Sequence, residues 1–294
     1  MSVRERPADD APLAPGLYLV ATPIGNLEDI TLRALRVLRQ ADRIACEDTR
    51  QTQKLLNHYG IQTPTVSYHM HNEASRASEL VEQLKSGGRI AVVSDAGTPG
   101  IADPGAEIAA MAIAAGVPVF PIPGANAAIS ALIASGLSAE QFTFHGFLPA
   151  KAGQRKTMLE ELRGRAAEAG TCIFYEAPHR IVETLADVEA VFGASQHVAV
   201  ARELTKLHEE MLRGPVAEIR SRLAARESVR GEIVLLFAPT AAASEAPTAS
   251  VGDEVRALMR EQGLSEKDAL KRVAKARGLG KSEAYRELQR ERGK

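Results

Sequence analysis

Short runs of β-branched and aliphatic residues alternate along the chain with segments whose apolar positions recur every three or four residues. The runs Leu17–Thr22, Arg43–Cys46, Thr65–Tyr68, Arg89–Ser94 and Val117–Ile122 predict strands. Between them, Thr31–Gln40, Thr52–Tyr59, Ala74–Lys85 and Glu107–Ala115 predict helices, the first with Asp29 or Thr31 as its N-cap. This alternation predicts an N-terminal α/β domain over residues 16–123. The pattern then resumes. Ala125–Ser135, Arg155–Arg165, Arg180–Phe192 and Pro215–Ala224 predict helices, and Phe142–Gly146, Thr171–Tyr175, His197–Arg202 and Glu232–Phe237 predict strands. They form a C-terminal α/β domain over 124–238. Residues 239–250 are rich in Ala, Ser, Thr and Pro and predict a linker, and 251–294 predict a small helical domain broken at Gly263 and Gly278. The polar, proline-rich residues 1–15 predict a disordered tail.

Composition agrees with a globular chain. Of 294 residues, 45% are apolar and 25% charged, which sets aside fibrous and low-complexity classes. Aromatics make up only 4% and Trp is absent, so the cores must rest on Ala, Val, Leu and Ile. Two cysteines, Cys46 and Cys172, are too few for a disulfide framework or a four-cysteine zinc site, and both sit in strand-like runs that predict burial. The stretch from Ile108 to Ala139 carries no charge, but its prolines and glycines break it into helix, strand, loop and helix rather than a membrane span. With no secretory leader visible, a cytoplasmic location is expected. Charge is unevenly spread. Residues 251–294 hold 12 Lys/Arg against 8 Asp/Glu, while the rest holds 24 against 29, so a basic tail follows an acidic body.

Four loops carry chemistry. TPIGNLEDIT (Thr22–Thr31) leaves the first strand through a tight turn into a helix start, but it is not the glycine fingerprint of dinucleotide enzymes. The chain also lacks a phosphate-binding P-loop, so redox and phosphoryl-transfer classes lose their usual support. VSDAGTPGIADPG (Val93–Gly105) follows the most apolar strand and packs three glycines and two prolines into thirteen residues. Such a loop brings backbone close to a ligand at the carboxyl end of a sheet, with Asp95 as an acceptor. PIPGANAAISAL (Pro121–Leu132) opens a helix with small side chains. FYEAPHR (Phe174–Arg180) and ARELTKLHEE (Ala201–Glu210) place Glu176, His179, Arg180, Arg202, Glu203 and Lys206 at strand ends. His69 and His71 share a strand face with Glu73 nearby, but no further Cys or His pair completes a set, and no metal is expected.

Read in order, TPIGNL, ACEDTR, His69-x-His71-Asn72-Glu73, SDAGTP, DPG, PIPGA, GFLPAK, FYEAPHR, ARELTK and GEIVL resemble the small-subunit ribosomal RNA methyltransferases of the tetrapyrrole methylase superfamily. The likeness runs from about Leu17 to Phe237, and the basic tail resembles that family's helix-turn-helix-like domain. It implies two α/β domains with an S-adenosyl-L-methionine (AdoMet) cleft between them, a homodimer, and 2′-O-methylation of a cytidine ribose in the decoding region of 16S ribosomal RNA. Carried over position by position, the cofactor contacts are Pro23, Val93, Ser94, Asp95, Thr98, Asn126, Ala127, Glu176, Ala201, Arg202 and Glu232. Asn126 and the Ser94-Asp95 pair depart from the pattern of the tetrapyrrole-modifying relatives. A ribose hydroxyl needs a base or a polarising cation, so Glu47, Asp48, Asp95 and Glu203 are candidate bases, and Arg50, Arg202 and Lys206 candidate cations. Substrate contacts are expected from His69, His71, Arg155, Lys156, Arg180, Lys271, Arg272 and Lys275. Two other readings stay open: a tetrapyrrole methyltransferase acting on an acidic macrocycle, and a non-catalytic RNA-binding assembly factor.

Overall fold

The computed structural model describes residues 11–69, 72–240, 250–276 and 281–292. They divide into two compact units, Met1–Ala241 and Ala242–Lys294. The first unit contains two five-stranded sheets. One is built from β1 (Gly16–Val20), β2 (Arg43–Cys46), β3 (Thr65–Ser67), β4 (Arg89–Val93) and β5 (Val119–Ile122), in the order β3-β2-β4-β1-β5 with every pairing parallel. Its crossovers run through α1 (Leu32–Gln40), α2 (Thr49–His58), α3 (Glu73–Lys85) and α4 (Ala106–Ala114). Parallel strands are covered on both faces, and β4 shows it: Ile90 and Val92 enter one core, Ala91 and Val93 the other. Pro121 is tolerated because β5 lies at the sheet edge, where a missing N–H costs no ladder bond.

The second sheet follows α5 (Ala127–Ser135). Its strands are β6 (Phe142–Phe147), β7 (Thr171–Glu176), β8 (His197–Arg202), β9 (Glu210–Pro215) and β10 (Ile233–Phe237), ordered β6-β7-β10-β8-β9. β6 and β7 run parallel; β10 runs antiparallel to β7 and β8. α5 covers one face through Ala128, Ala131 and Leu132. α6 (Ala152–Gly164), α8 (Ile181–Phe192) and α9 (Val216–Ala224) cover the other, with the short α7 (Ala166–Ala169) leading into β7. The continuous apolar run of β10 follows from this sandwiching: Ile233, Leu235 and Phe237 face the three-helix side, Val234 and Leu236 face α5.

The structure adds one strand and moves some boundaries. β9 reads EMLRGP, in which Leu212 alone is buried, so an edge strand of charge, glycine and proline carries no period-two signal. α2 and α6 each start three residues before the predicted position, α2 because the Asp48 side chain accepts from Arg50 N–H and caps it. Thr31 rather than Asp29 caps α1, accepting from Ala34 N–H. The uncharged stretch forms α4, β5, a loop and α5, and no described helix is long and apolar enough to cross a membrane.

The second unit holds α10 (Val251–Gln262), α11 (Glu266–Ala276) and α12 (Lys281–Arg292). Ser250 and Asp253 form a reciprocal capping box, and Gly263 ends α10 in the left-handed region at φ 65°. Val255, Ala269, Val273 and Leu288 make the core. Lys271, Arg272 and Lys275 are exposed. Much of the expected linker and tail, together with His71, Gly278 and Leu279, lies outside the described residues.

Candidate functional site

The carboxyl ends of the first sheet's strands and one end of the second sheet, at its central strands, border a cavity of about 360 Å³. Topology assembles it. The loop leaving β4 supplies Asp95, Ala96, Gly97, Thr98, Ile101, Ala102 and Asp103. Because β10 runs antiparallel to its neighbours, its first residues lie beside their last: Ile233 is in register with both Glu176 and Arg202. Gly231 to Val234 therefore join Tyr175, Glu176, Ala201 and Leu204 on one wall. Ile24, Asn126, Ala127, Phe147, Ala177 and Pro178 complete the lining.

Hydrogen bonds hold the loop of β4 in place. Thr22 and Gly97 exchange backbone bonds at 2.8 and 3.0 Å, tying it to the turn after β1. Ser94 is buried and donates to the carbonyls of Ala96 and Gly97, and its own carbonyl accepts from Thr22 Oγ1. Thr98 Oγ1 donates to Ala125 O at 3.1 Å. Glu73 Oε1 accepts from Tyr68 Oη at 2.8 Å and from Gly105 N at 3.2 Å, anchoring the far end. Within the loop, Ala102 adopts φ 62°, a left-handed conformation that costs a residue with a Cβ of order 1 kcal/mol or more. The other two non-glycine residues in that region among those described are Glu203 and Thr205, which flank the lining residue Leu204. Backbone strain thus concentrates around the cavity.

A second contact joins the two sheets' loops. Asn26 N–H donates to Thr205 Oγ1 at 3.0 Å, and Gly25 sits so close that a Cβ there would fall 2.7 Å from Thr205 Oγ1 and press on Lys206 Cγ. Lys206 Nζ in turn bridges Glu203 at 2.8 Å and Glu232 at 3.2 Å. The motifs TPIGN and ELTK, some 180 residues apart, are one latch.

The lining is acidic. Among the described residues, Asp95, Asp103, Glu176 and Glu232 are its charged members, and none is Lys, Arg or His. Burial, reinforced by the charges of Glu47 and Asp95, pushes the Asp103 carboxyl up to about 6. Burial with Asp95 nearby also raises Glu47. Around these acids the wall is apolar, with Tyr175 edge-on to Phe144 and Phe147 at ring distances of 4.9 and 5.7 Å.

Of the expected cofactor contacts, Asp95, Thr98, Asn126, Ala127, Glu176, Ala201 and Glu232 line the cavity; Pro23, Val93, Ser94 and Arg202 do not. Asn126 also caps α5, accepting from Ile129 N–H at 3.1 Å. Glu176 is buried and its oxygens accept from Thr184 Oγ1, Ala177 N and Arg180, so it braces the wall from within. Arg202, expected both as cofactor contact and as cation, has its guanidinium on Glu210 and on the carbonyls of Arg230 and His208. Of the seven candidate bases and cations, Asp95 is in the lining, and Glu47, Asp48, Arg50, Arg202, Glu203 and Lys206 are not. Glu47 stands near Asp95 and Asp103, the Asp48 N–H donates to Asp95 Oδ1 at 3.0 Å, Arg50 folds back on Asp48, and Glu203 pairs with Lys206.

Among the expected substrate contacts, Arg155 is corrected: it is 2% exposed, and Nε donates to Asp187 at 2.7 Å, pinning α6 to α8. Arg180 donates to the carbonyls of Leu148 and Pro149 behind the wall. Lys156 reaches solvent with Nζ 3.5 Å from Asp187, and the His69 N–H donates to the Asn72 side chain. Among the described residues no group of three His, Cys, Asp and Glu side chains is placed to hold a metal ion. Asp103, Tyr175 and Phe147 were not singled out from sequence, although DPG, FYEAPHR and GFLPAK contain them. Which member of each motif faces inward is set by the fold.

Comparison with known proteins adds relatives. The model of the tetrapyrrole (corrin/porphyrin) methylases matches residues 16–220. The ribosomal RNA small subunit methyltransferase I of Halalkalibacterium halodurans is 47% identical over 274 residues, covering 92% of this chain and 93% of that one. That of Bacillus subtilis is 46% identical, covering 92% of each. Among solved structures, a diphthine synthase aligns with a TM-score of 0.61 at 16% identity, covering 76% of this chain and 90% of that one. The uroporphyrin-III-C-methyltransferase of Thermus thermophilus aligns at 0.52 and 21%, covering 77% and 96%. These two share the fold.

Proposed function

Since the chain belongs to the tetrapyrrole methylase family, we propose that it is a small-subunit ribosomal RNA methyltransferase that takes its methyl group from AdoMet. The finer reading is 2′-O-methylation of a cytidine ribose in the decoding region of 16S ribosomal RNA by a homodimer in the cytoplasm. One observation carries the cofactor: among the described residues the cavity is lined by four carboxylates and many apolar side chains, with no basic residue. Such a lining fits a donor with a flat apolar base and a net positive charge, and about 360 Å³ falls in the usual range for small-ligand sites. When bound, AdoMet supplies an activated methyl on a sulfonium, so the chain's share is chiefly positioning. Asp95, Thr98, Asn126, Ala127, Ala201 and Glu232 hold the donor, with Glu176 bracing the wall. Glu47 and Asp103 are the nearby acids raised toward neutral pH, where an acid serves best as a base.

The same lining disfavours an acidic macrocycle in the cavity, because it has no cation to pair with the macrocycle's carboxylates. RNA docking falls to the second unit, where Lys271, Arg272 and Lys275 are exposed around a small apolar core. Phosphate contacts from such a surface release counterions, so affinity falls steeply with salt. The homodimer reading draws on the exposed Ile113, Ile129 and Ile133 of α4 and α5. The deciding experiment transfers labelled methyl from AdoMet to purified small subunits and maps the modified ribose. Truncation after Ala238 should keep AdoMet affinity and lose RNA affinity. A truncated protein that methylates subunits at the full rate with unchanged salt dependence refutes the docking role.

A further inference from the structure

We propose that Asp103 is the residue by which the cavity tells the charged methyl donor from the neutral thioether left after transfer. The inference rests on the reading of the cavity as an AdoMet site and concerns which carboxylate senses the donor's charge.

The four lining carboxylates are not equivalent. Asp95 accepts from the Asp48 N–H at 3.0 Å. Glu176 accepts from Thr184, Ala177 and Arg180. Glu232 lies 3.2 Å from Lys206 Nζ and is 74% exposed. Asp103 is half-buried, and among the described residues no cationic side chain pairs with it. Asp95, Tyr175 and Glu232 share the cavity lining with it, and the groups whose charge or hydrogen bonding acts on it are Glu47 after β2, Ser94 and Asp95 after β4, the Tyr175 phenol on β7 and Glu232 before β10. All but Ser94 and Tyr175 are acids, and the Ser94 hydroxyl is the one that favours the charged form. Asp103 sits in the turn closed by Gly100 N–H to Pro104 O at 3.1 Å, next to Ala102 at φ 62°.

A half-buried ionised carboxylate among acids lacks what a cation would supply. AdoMet brings a sulfonium, an ammonium and a carboxylate, hence one net positive charge; the thioether product keeps the last two and is neutral. We place Asp103 on the sulfonium side of the site, so that transfer removes the charge it faces. Two consequences follow from linkage. Donor binding must favour the ionised form of Asp103 and expel its proton, and donor affinity must rise with pH through about 6. The product, which shares the donor's ammonium and carboxylate, should show neither effect. On this reading the contribution of Asp103 to affinity falls when the methyl leaves.

Titration calorimetry on the full-length protein tests this with AdoMet and S-adenosylhomocysteine between about pH 5 and pH 8, in two buffers of different ionisation enthalpy. The expected result is proton release with AdoMet near pH 6 and about a tenfold gain in its affinity across that range, for a carboxyl moved by about one unit. S-adenosylhomocysteine should bind with a flat profile. Asp103→Asn, nearly isosteric, should flatten the AdoMet profile and lower the donor-to-product affinity ratio about tenfold. Its melting temperature checks that it folds, and the wild-type proton release stands without it. Equal losses for both ligands in the variant, or a wild-type AdoMet affinity that ignores pH, overturns the proposal while leaving the cofactor assignment intact. Failure of the wild type to bind either ligand overturns both.

Discussion

Gly25→Ala puts the latch between the two sheets' loops to the test. A Cβ at Gly25 would press on Lys206 Cγ, lie 2.7 Å from Thr205 Oγ1 and 3.1 Å from Leu204 O. The Lys206 side chain is held by Glu203 and Glu232, and the Leu204 carbonyl belongs to a backbone flanked by two left-handed residues. Relief therefore means displacing the 203–206 loop and losing the 3.0 Å bond from Asn26 N–H to Thr205 Oγ1. Overpacking of this kind costs about 1–3 kcal/mol and the lost bond about 0.5–1.5 kcal/mol. The lower chain entropy of unfolded alanine gives back about 0.4–1 kcal/mol. We expect a net loss of about 1–3 kcal/mol, read as a lower urea midpoint with an unchanged slope. Because Leu204 lines the cavity, AdoMet affinity should fall with it, by about 5–30-fold for 1–2 kcal/mol. Gly153→Ala is the control: its Cβ meets nothing within 4 Å, so it should be neutral or stabilising by up to about 1 kcal/mol. A Gly25→Ala protein within about 0.5 kcal/mol of wild type, with unaltered affinity, refutes the latch.

Three further outcomes follow from the same geometry. Asp187→Ala leaves the buried Arg155 guanidinium without its 2.7 Å partner and should cost about 3–5 kcal/mol in denaturant unfolding, against little for Lys156→Ala. Arg226 above all, with Arg202, holds the folded Glu210 carboxyl down at about 2, below the ordinary 4.5, so its pairing stabilises fully above about pH 4.5 and is lost as pH falls toward 2. Melting curves of wild type and Glu210→Gln should then converge across that window; a gap that stays constant contradicts the assignment. Light scattering at micromolar concentration should give twice the 31.4 kDa chain mass, and Ile133→Glu, on a side chain 77% exposed, should shift it to monomer without lowering the melting temperature.

The one-dimensional pattern was enough for what depends on neighbours in sequence. Apolar runs such as IVLLF and RIAVV declared central strands, and Thr31 and Gly263 marked helix ends, because periodicity and caps are local matters. The glycine- and proline-rich loops were legible as places where backbone comes close to something. What the pattern did not hold was the partner of each charge. Arg155, Arg180 and Arg202 look alike in sequence to an arginine that meets RNA, yet long-range contacts bury or engage all three. Asp103 looks like one more turn residue, yet the fold brings it under the influence of Glu47, Asp95 and Glu232 with no cationic partner among the described residues. β9 lacked a signal because an edge strand needs only one buried side chain, and its pairing is decided by β8. Charge in water costs little wherever it stands, so sequence alone scarcely constrains it; once tertiary structure removes the water, every carboxylate must find a donor, a proton or a ligand.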